Sequence, residues 1–267
     1  FSRHISFISC DGVMLFSAVG QARIDTRDID VSNLLESANR PPLPDMSLPP
    51  VIAVLDGLPV ENHLLLQDRL SIDDPDEWGA SYPVAERQHG TEMVSLVTLG
   101  NLKNGADPLT RKVYVRPILR YDENPYHGEY LPEYHRLGID LFHRAIIRLI
   151  EGDAVCPTVK IINLSVGDNG RMFSHFMSPW ARLLDWFSVK YNVLFVVSGG
   201  NHYELSLEMD LDYFSSLPDG QGLKEFVNHV YQEKAIRSLL SPAESINALT
   251  VGSIHPNIPS NQTNEFR

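Results

Sequence analysis

Short apolar runs rich in β-branched residues alternate along the chain with longer stretches whose apolar positions recur at helical spacing. The runs are Val51–Leu55, Lys112–Leu119, Val159–Leu164, Leu194–Ser198 and Ala248–Ser253. Between them the spacing predicts helices over Thr91–Leu99, Leu137–Ile150 and Trp180–Tyr191. In the second helix Ile139, Phe142, Ile146 and Ile150 fall on one face; in the third, Leu183, Leu184 and Phe187 turn inward. Strands that are apolar along their length, each followed by a helix, predict an α/β fold of three layers: a mostly parallel sheet with helices on both faces.

Residues 1–48 differ in character. A possible strand at Ile5–Phe7, with Val13–Phe16 as its partner, leads into the polar stretch Thr26–Arg40 and then Pro41, Pro42, Pro44, Pro49 and Pro50. Proline holds neither a sheet ladder nor a helix interior, so this part reads as an N-terminal extension and linker, with the α/β domain over 49–267. The stretch 203–238 breaks the rhythm with Glu204, Glu208, Asp210 and Asp212, a Pro218–Asp219–Gly220 turn and a helix, and reads as an insertion.

Composition narrows the function classes. Hydrophobic residues make up 43% and charged residues 21%, a globular balance that excludes a disordered or fibrous chain. The net charge of −12 repels phosphate backbones and acidic lipid, setting aside nucleic-acid and membrane partners. Apolar runs such as Val193–Val197 are too short to span a bilayer, so the expectation is a soluble domain. Cys10 and Cys156 are too few for a disulfide framework or a cysteine zinc site, and fit a reducing compartment such as the cytoplasm. No residue pattern calls for a cofactor. His127, His135 and His143 recur every eight residues, which turns them 80° off one helix face, and they read as a solvated face rather than metal ligands. Asp73, Asp74, Asp76 and Glu77 offer the hard oxygens that calcium takes but lack the spacing of a calcium loop; they read as a solvated turn or as a rim that attracts basic substrate residues, with calcium as the lesser alternative.

In an open parallel sheet, functional residues gather at the carboxyl ends of strands. Asp56 follows the first run, Ser165, Val166 and Gly167 the third, and Ser198, Gly199, Gly200 and Asn201 end the fourth; His89 opens a helix. An aspartate beside a histidine forms an orienter–base pair: the carboxylate fixes the tautomer, and the far ring nitrogen takes a proton from a nucleophile. An ordinary histidine titrates near ~6.5, so a modest shift poises it for this work. Asn201 can donate its amide to a developing oxyanion, an interaction worth roughly 3–4 kcal/mol of barrier.

The local context of these residues resembles the subtilisin-like serine peptidases, the subtilase family. Val54-Leu55-Asp56-Gly57, with His63 seven residues after Asp56, is similar to the aspartate block, and His89-Gly90-Thr91 to the histidine block. Ile161–Gly167 is similar to the substrate-pairing strand, and Val196–Asn201 to the oxyanion block. Ser241-Pro242-Ala243, with Ala248–Gly252, resembles the segment that follows. The resemblance implies a serine endopeptidase acting on polypeptides, in a family that often holds calcium in loops. It assigns His89 as base, Asp56 as its orienter and Asn201 as oxyanion donor. Ser165, Val166, Gly167, Ser198, Gly199 and Gly200 would bind substrate, and the room at Gly199 suggests a pocket for a large apolar side chain.

Two features depart from the family pattern. Gly57 and Leu58 stand where the family has Ser or Thr and then Gly, so the turn that aims Asp56 is built differently. The nucleophile block, Gly-Thr-Ser-x-Ala, is not found before Arg267. The expectation is that the serine lies beyond it, so that this fragment lacks the C-terminal part of the fold, leaves apolar surface exposed and is inactive by itself. The alternative is a pseudo-enzyme or peptide-binding module on the same fold. A nucleotide-binding α/β domain fits less well, since neither Gly-x-Gly-x-x-Gly nor a P-loop is present.

Overall fold

The computed structural model describes residues 41–100, 107–121, 138–202, 213, 216–218, 220–234 and 237–252, with the backbone of 23–24 and 129–130. Its centre is a sheet of six strands, all neighbours parallel, in the order β11-β9-β7-β2-β4-β3. These are β2 (Ile52–Asp56), β3 (Leu70–Ile72), β4 (Val113–Pro117), β7 (Ile161–Leu164), β9 (Leu194–Ser198) and β11 (Ala248–Val251). The chain leaves β2 for β3 and β4 on one side and then crosses to β7 on the other. The order therefore reverses between β2 and β7, which opens a crevice at their carboxyl ends.

Side-chain alternation along the strands builds two cores. Ala53, Leu55, Ile162, Leu164, Phe195 and Val197 face α2 (Gly138–Ile150) and α3 (Pro179–Tyr191), with Phe142, Ile146 and Phe187 among the fully buried residues. Val54, Val113 and Val115 face the other way, toward α1 (Gln88–Leu99) and its Val94 and Leu99. Helices on both faces make this the three-layer α/β fold. α3 starts where Pro179 follows Ser178, whose hydroxyl accepts the Ala181 N–H at 3.0 Å, and it ends at Asn192 with φ of 52°. In α2 the buried stripe is Leu141, Phe142, Ala145, Ile146 and Leu149; Ile139 and Ile150 flank it half-buried.

On the α1 side, β7, β9 and β11 carry apolar side chains in the open. Ile161 is 37% exposed, Leu194 41%, Leu249 54% and Val251 49%. α1 packs on β2 and β4.

Smaller elements decorate the layers. β1 (Arg23–Ile24), β5 (Arg120–Tyr121) and β6 (Glu129–Tyr130) form an antiparallel sheet in the order β1-β6-β5. β8 (Asp168–Met172) pairs antiparallel with β10 (Leu240–Ser241), and α4 (Gln221–Glu233) is a helix within 203–238. The proposed strands at Ile5–Phe7 and Val13–Phe16, His127, His135 and the acidic residues of 203–212 lie outside the described residues. His143 rests against Phe187, ring centroids 5.5 Å apart.

The proline run is strapped to the domain. Arg69, 2% exposed, donates to the carbonyls of Pro41 at 2.8 Å and Pro42 at 2.6 Å. Thr158 Oγ1 donates to the Pro50 carbonyl at 2.6 Å, and the Asp45 N–H to that of Thr110 at 2.8 Å. Proline removes backbone donors but leaves every carbonyl free to accept, and those carbonyls hold the strap.

The acidic turn after β3 is likewise engaged rather than solvated. Asp73 accepts the Tyr114 hydroxyl at 2.6 Å and two Arg148 nitrogens at 2.8 Å each. Arg116 donates to Asp76 at 2.6 Å, and Asp74 accepts the N–H groups of Trp78 at 3.1 Å and Gly79 at 2.8 Å. Among the described residues no group of three or more His, Cys, Asp or Glu comes together to hold a metal ion. The Arg148 hydrogen bonds, foremost, and that of Tyr114 hold the Asp73 carboxyl below its usual value against the opposing effect of burial. Asp73→Ala is expected to cost about 1–3 kcal/mol, because the buried Tyr114 hydroxyl loses its partner. A depressed pKa contributes stability above the unfolded aspartate value of ~3.9, and this is lost as pH falls through the folded value. Urea denaturation across this range should find the gap between wild type and variant closing toward low pH.

Candidate active site

Asp56 is the last residue of β2, at the crevice where the strand order reverses. Its carbonyl accepts the Ile118 N–H at 2.8 Å, so the end of β4 fixes the backbone from which the side chain projects. The carboxylate is fully buried, and Oδ1 accepts from the Gly57 N–H at 2.7 Å and from His89 Nδ1 at 2.7 Å. Oδ2 is buried and has no hydrogen-bond partner among the described residues. Gly57 contributes a backbone donor to this turn and brings no hydroxyl.

His89 lies in the first turn of α1, which begins at Gln88, earlier than the apolar periodicity indicates. The residues beside it explain why the helix enters here. A Cβ on Gly90 would stand 2.3 Å from the Gly57 carbonyl oxygen and 2.7 Å from its carbon. Only glycine lets the helix approach the Asp56–Gly57 turn closely enough for the hydrogen bond to form. Thr91 then accepts the Val60 N–H at 2.8 Å and donates to the Arg87 carbonyl at 2.5 Å, tying the loop after β2 to the helix. Arg87 holds the preceding turn through the carbonyls of Tyr82, at 2.7 Å, and Gly79, at 3.0 Å. The sequence offers no signal for this role of Arg87. His63, the residue seven after Asp56, turns the loop: its carbonyl accepts from Leu66 and Gln67, both at 2.9 Å.

A carboxylate only accepts, so His89 Nδ1 carries the hydrogen, and Nε2 of the neutral ring keeps its lone pair. The side chain is 17% exposed. Burial, the largest single effect, pushes its pKa down. The charge of Asp56, the hydrogen bond to it and the charge of Glu92, one helical turn on, together outweigh burial and leave the imidazole above its ordinary 6.5. This is the electrostatic signature of a ring held ready to carry a positive charge.

The other predicted residues gather at the neighbouring strand ends. Ser165, Val166 and Gly167 follow β7; Ser198 ends β9 and Gly199, Gly200 and Asn201 follow it. The two segments meet, since a Cβ on Gly167 would lie 3.5 Å from Gly200 Cα. Val166 is fully buried, Ser165 bonds Asn163 at 3.2 Å, and the Gly200 N–H donates to Ser198 Oγ at 3.2 Å. Asn201 is exposed and shares no hydrogen bond with the Asp56–His89 pair among the described residues. His202 beside it donates from Nε2 to the Ser238 carbonyl at 2.8 Å. Asp168, next after Gly167, is 6% exposed; burial raises its pKa, against the Gly170 N–H it accepts at 2.9 Å.

Leu240 is a residue that sequence reasoning overlooks. It is 1% exposed, its N–H donates to the Gly199 carbonyl at 3.2 Å, and its side chain lies across both glycine segments. A Cβ on Gly200, whose φ is 96°, would meet Leu240 Cγ at 2.4 Å; one on Gly167 would meet Leu240 Cβ at 3.2 Å. This leucine takes up the space beside Gly167 and Gly200, whereas a Cβ on Gly199 would meet the Val251 carbonyl oxygen at 3.5 Å and Leu239 Cδ2 at 3.7 Å.

Fold and site together define a three-layer α/β domain with a buried carboxylate–imidazole pair at the carboxyl edge of its sheet. The chain belongs to the subtilase family, peptidase S8, whose model matches residues 49–265. Among solved structures, a chain of the subtilase cytotoxin SubAB assembly is similar, at 16% sequence identity and a TM-score of 0.42. That match covers 77% of this chain and 55% of the other, so the chain spans little more than half the length of that relative. No curated protein matches the chain at a significant level.

Proposed function

We propose that this chain carries the base, its orienting carboxylate and the oxyanion donor of a serine endopeptidase acting on polypeptides; no Gly-Thr-Ser-x-Ala block for the nucleophile is found in the 267 residues. The observation that carries the reading is the 2.7 Å bond from His89 Nδ1 to a fully buried Asp56. With Nδ1 committed to Asp56, Nε2 takes the serine proton as the hydroxyl oxygen attacks the scissile carbonyl. It later returns that proton to the leaving amine. The Asp56 charge stabilises the imidazolium formed between these steps. Asn201 donates to the carbonyl oxygen as it becomes negative. Ser165–Gly167 and Ser198–Gly200 present backbone groups to an extended substrate.

Without the serine, proton transfer has no partner, and the 267-residue chain is expected to be inert. A fluorophosphonate probe tests the reading when applied to the full-length protein and mapped by mass spectrometry. The expected adduct is on one serine, and it is lost in His89→Ala. A folded full-length protein that takes up no probe would leave a peptide-binding module as the better account.

A further inference from the structure

We infer that Arg87 is a positioning residue for the His89–Asp56 pair: its guanidinium locks the turn that enters α1 and thereby sets where His89 stands against Asp56. The inference deepens the peptidase reading above and rests on it for the kinetic part of its test. Arg87 is the N-cap of α1 and makes no side-chain hydrogen bond to the first N–H groups of the helix. A guanidinium has donors only, so it cannot do what a serine or aspartate does at that place. It turns back along the chain instead. Nε and Nη2 both donate to the Tyr82 carbonyl, at 3.0 and 2.7 Å, and Nη2 also donates to the Gly79 carbonyl at 3.0 Å. One planar fork therefore closes the whole turn from Gly79 to the start of the helix. Its far end is held as well, since the Gly79 N–H donates to Asp74 at 2.8 Å. The guanidinium lies 5.8 Å from the centroid of the Tyr82 ring, which is buried and stacked on Tyr121.

The backbone of Arg87 is tied in the other direction. Its carbonyl accepts the Thr91 hydroxyl at 2.5 Å and the Thr91 N–H at 3.3 Å, and Thr91 Oγ1 accepts the Val60 N–H at 2.8 Å. Side chain and backbone together join the turn before α1 to the loop after β2. His89 is two residues from this junction, and its Nδ1 must come within 2.7 Å of a carboxylate carried by β2. Burial, Asp56 and Glu92 set the His89 pKa, so the contribution of Arg87 is one of position rather than charge.

The test compares full-length wild type with Arg87→Met, which keeps the stem and removes the donors, and Arg87→Lys, which keeps the charge and loses the fork. Each is read twice, by ¹H–¹⁵N titration of His89 and by kcat and KM per fluorophosphonate-titrated site. Arg87→Met should lower kcat about 10²-fold with KM unchanged, the cost of a misplacement on the order of 1 Å. Its His89 pKa should fall, because the hydrogen bond and charge of Asp56 that raise it act less strongly when the ring shifts. Arg87→Lys should resemble Arg87→Met, because a single ammonium does not reproduce the planar fork. A folded Arg87→Met with wild-type kcat and His89 pKa overturns the inference, even if it is less stable. So does an Arg87→Lys that matches wild type in both, since charge would then suffice. Absence of labelling in wild type removes the peptidase reading, and the His89 titration then decides this inference by itself. Should neither variant fold, the Arg87 Nε–H of wild type decides: slow exchange with water supports the lock, and exchange as fast as that of an exposed arginine overturns it.

Discussion

Replacing His89 with alanine is expected to lower kcat of the full-length enzyme by about 10⁶-fold, the loss that follows when the general base of such a triad is removed. The size follows from the roles assigned. In the proposed mechanism Nε2 is the acceptor that Asp56 prepares, and a serine hydroxyl is a feeble nucleophile without it. The proposed oxyanion donor and substrate-binding segments remain, so a residual rate of roughly 10³–10⁴ over water should persist. The pH profile gives a second reading. Wild-type activity should rise with pH through the pKa of His89, which lies above 6.5, because only the neutral ring accepts a proton. The residual activity of the variant should lack that limb. Removing the imidazole also strands a buried carboxylate, so a stability loss of about 1–3 kcal/mol is expected, and circular dichroism must show the variant folded. A folded variant within tenfold of wild type would contradict the role of His89.

Asp56→Asn should lower kcat about 10⁴-fold while preserving the fold. An amide can present its N–H₂ to Nδ1, which moves the ring hydrogen to Nε2 and leaves no acceptor facing the serine. The sign of the pKa change is equally definite. Burial pushes His89 down; the charge and hydrogen bond of Asp56 push it up, with Glu92 as the smallest contribution. Remove the Asp56 charge and burial prevails, so the pKa falls below 6.5. The acid limb of the rate profile should shift to lower pH even as the plateau drops. A merely structural aspartate would lower stability without moving that limb.

The layered fold was legible because the residues that make it are local and periodic. Leu194–Ser198 is the strand its apolar run announces, and α3 starts and ends within a residue of its pattern. β3 escaped notice because three residues, Leu70–Ile72, carry too short a period to register. The start of α1 was misplaced because Gln88, His89 and Gly90 are fixed by contacts across the fold, Gly90 against Gly57 above all. Strand-end position and local motif together pointed to Asp56 and His89, whereas Leu240 was invisible. An isolated leucine carries no chemical signal, and its meaning comes from two glycines that lie far from it in sequence. The proline strap was missed for a similar reason, since its partners Arg69 and Thr158 become neighbours only after folding.

Titration of His89 by ¹H–¹⁵N NMR, in wild type and in Asp56→Asn, tests the account most directly, because it observes the pair itself and needs no turnover. The account predicts a wild-type pKa above 6.5, with the hydrogen on Nδ1 of the neutral ring, and a fall below 6.5 in the variant. A wild-type value at or below 6.5, or a value that Asp56→Asn leaves unchanged, would contradict it.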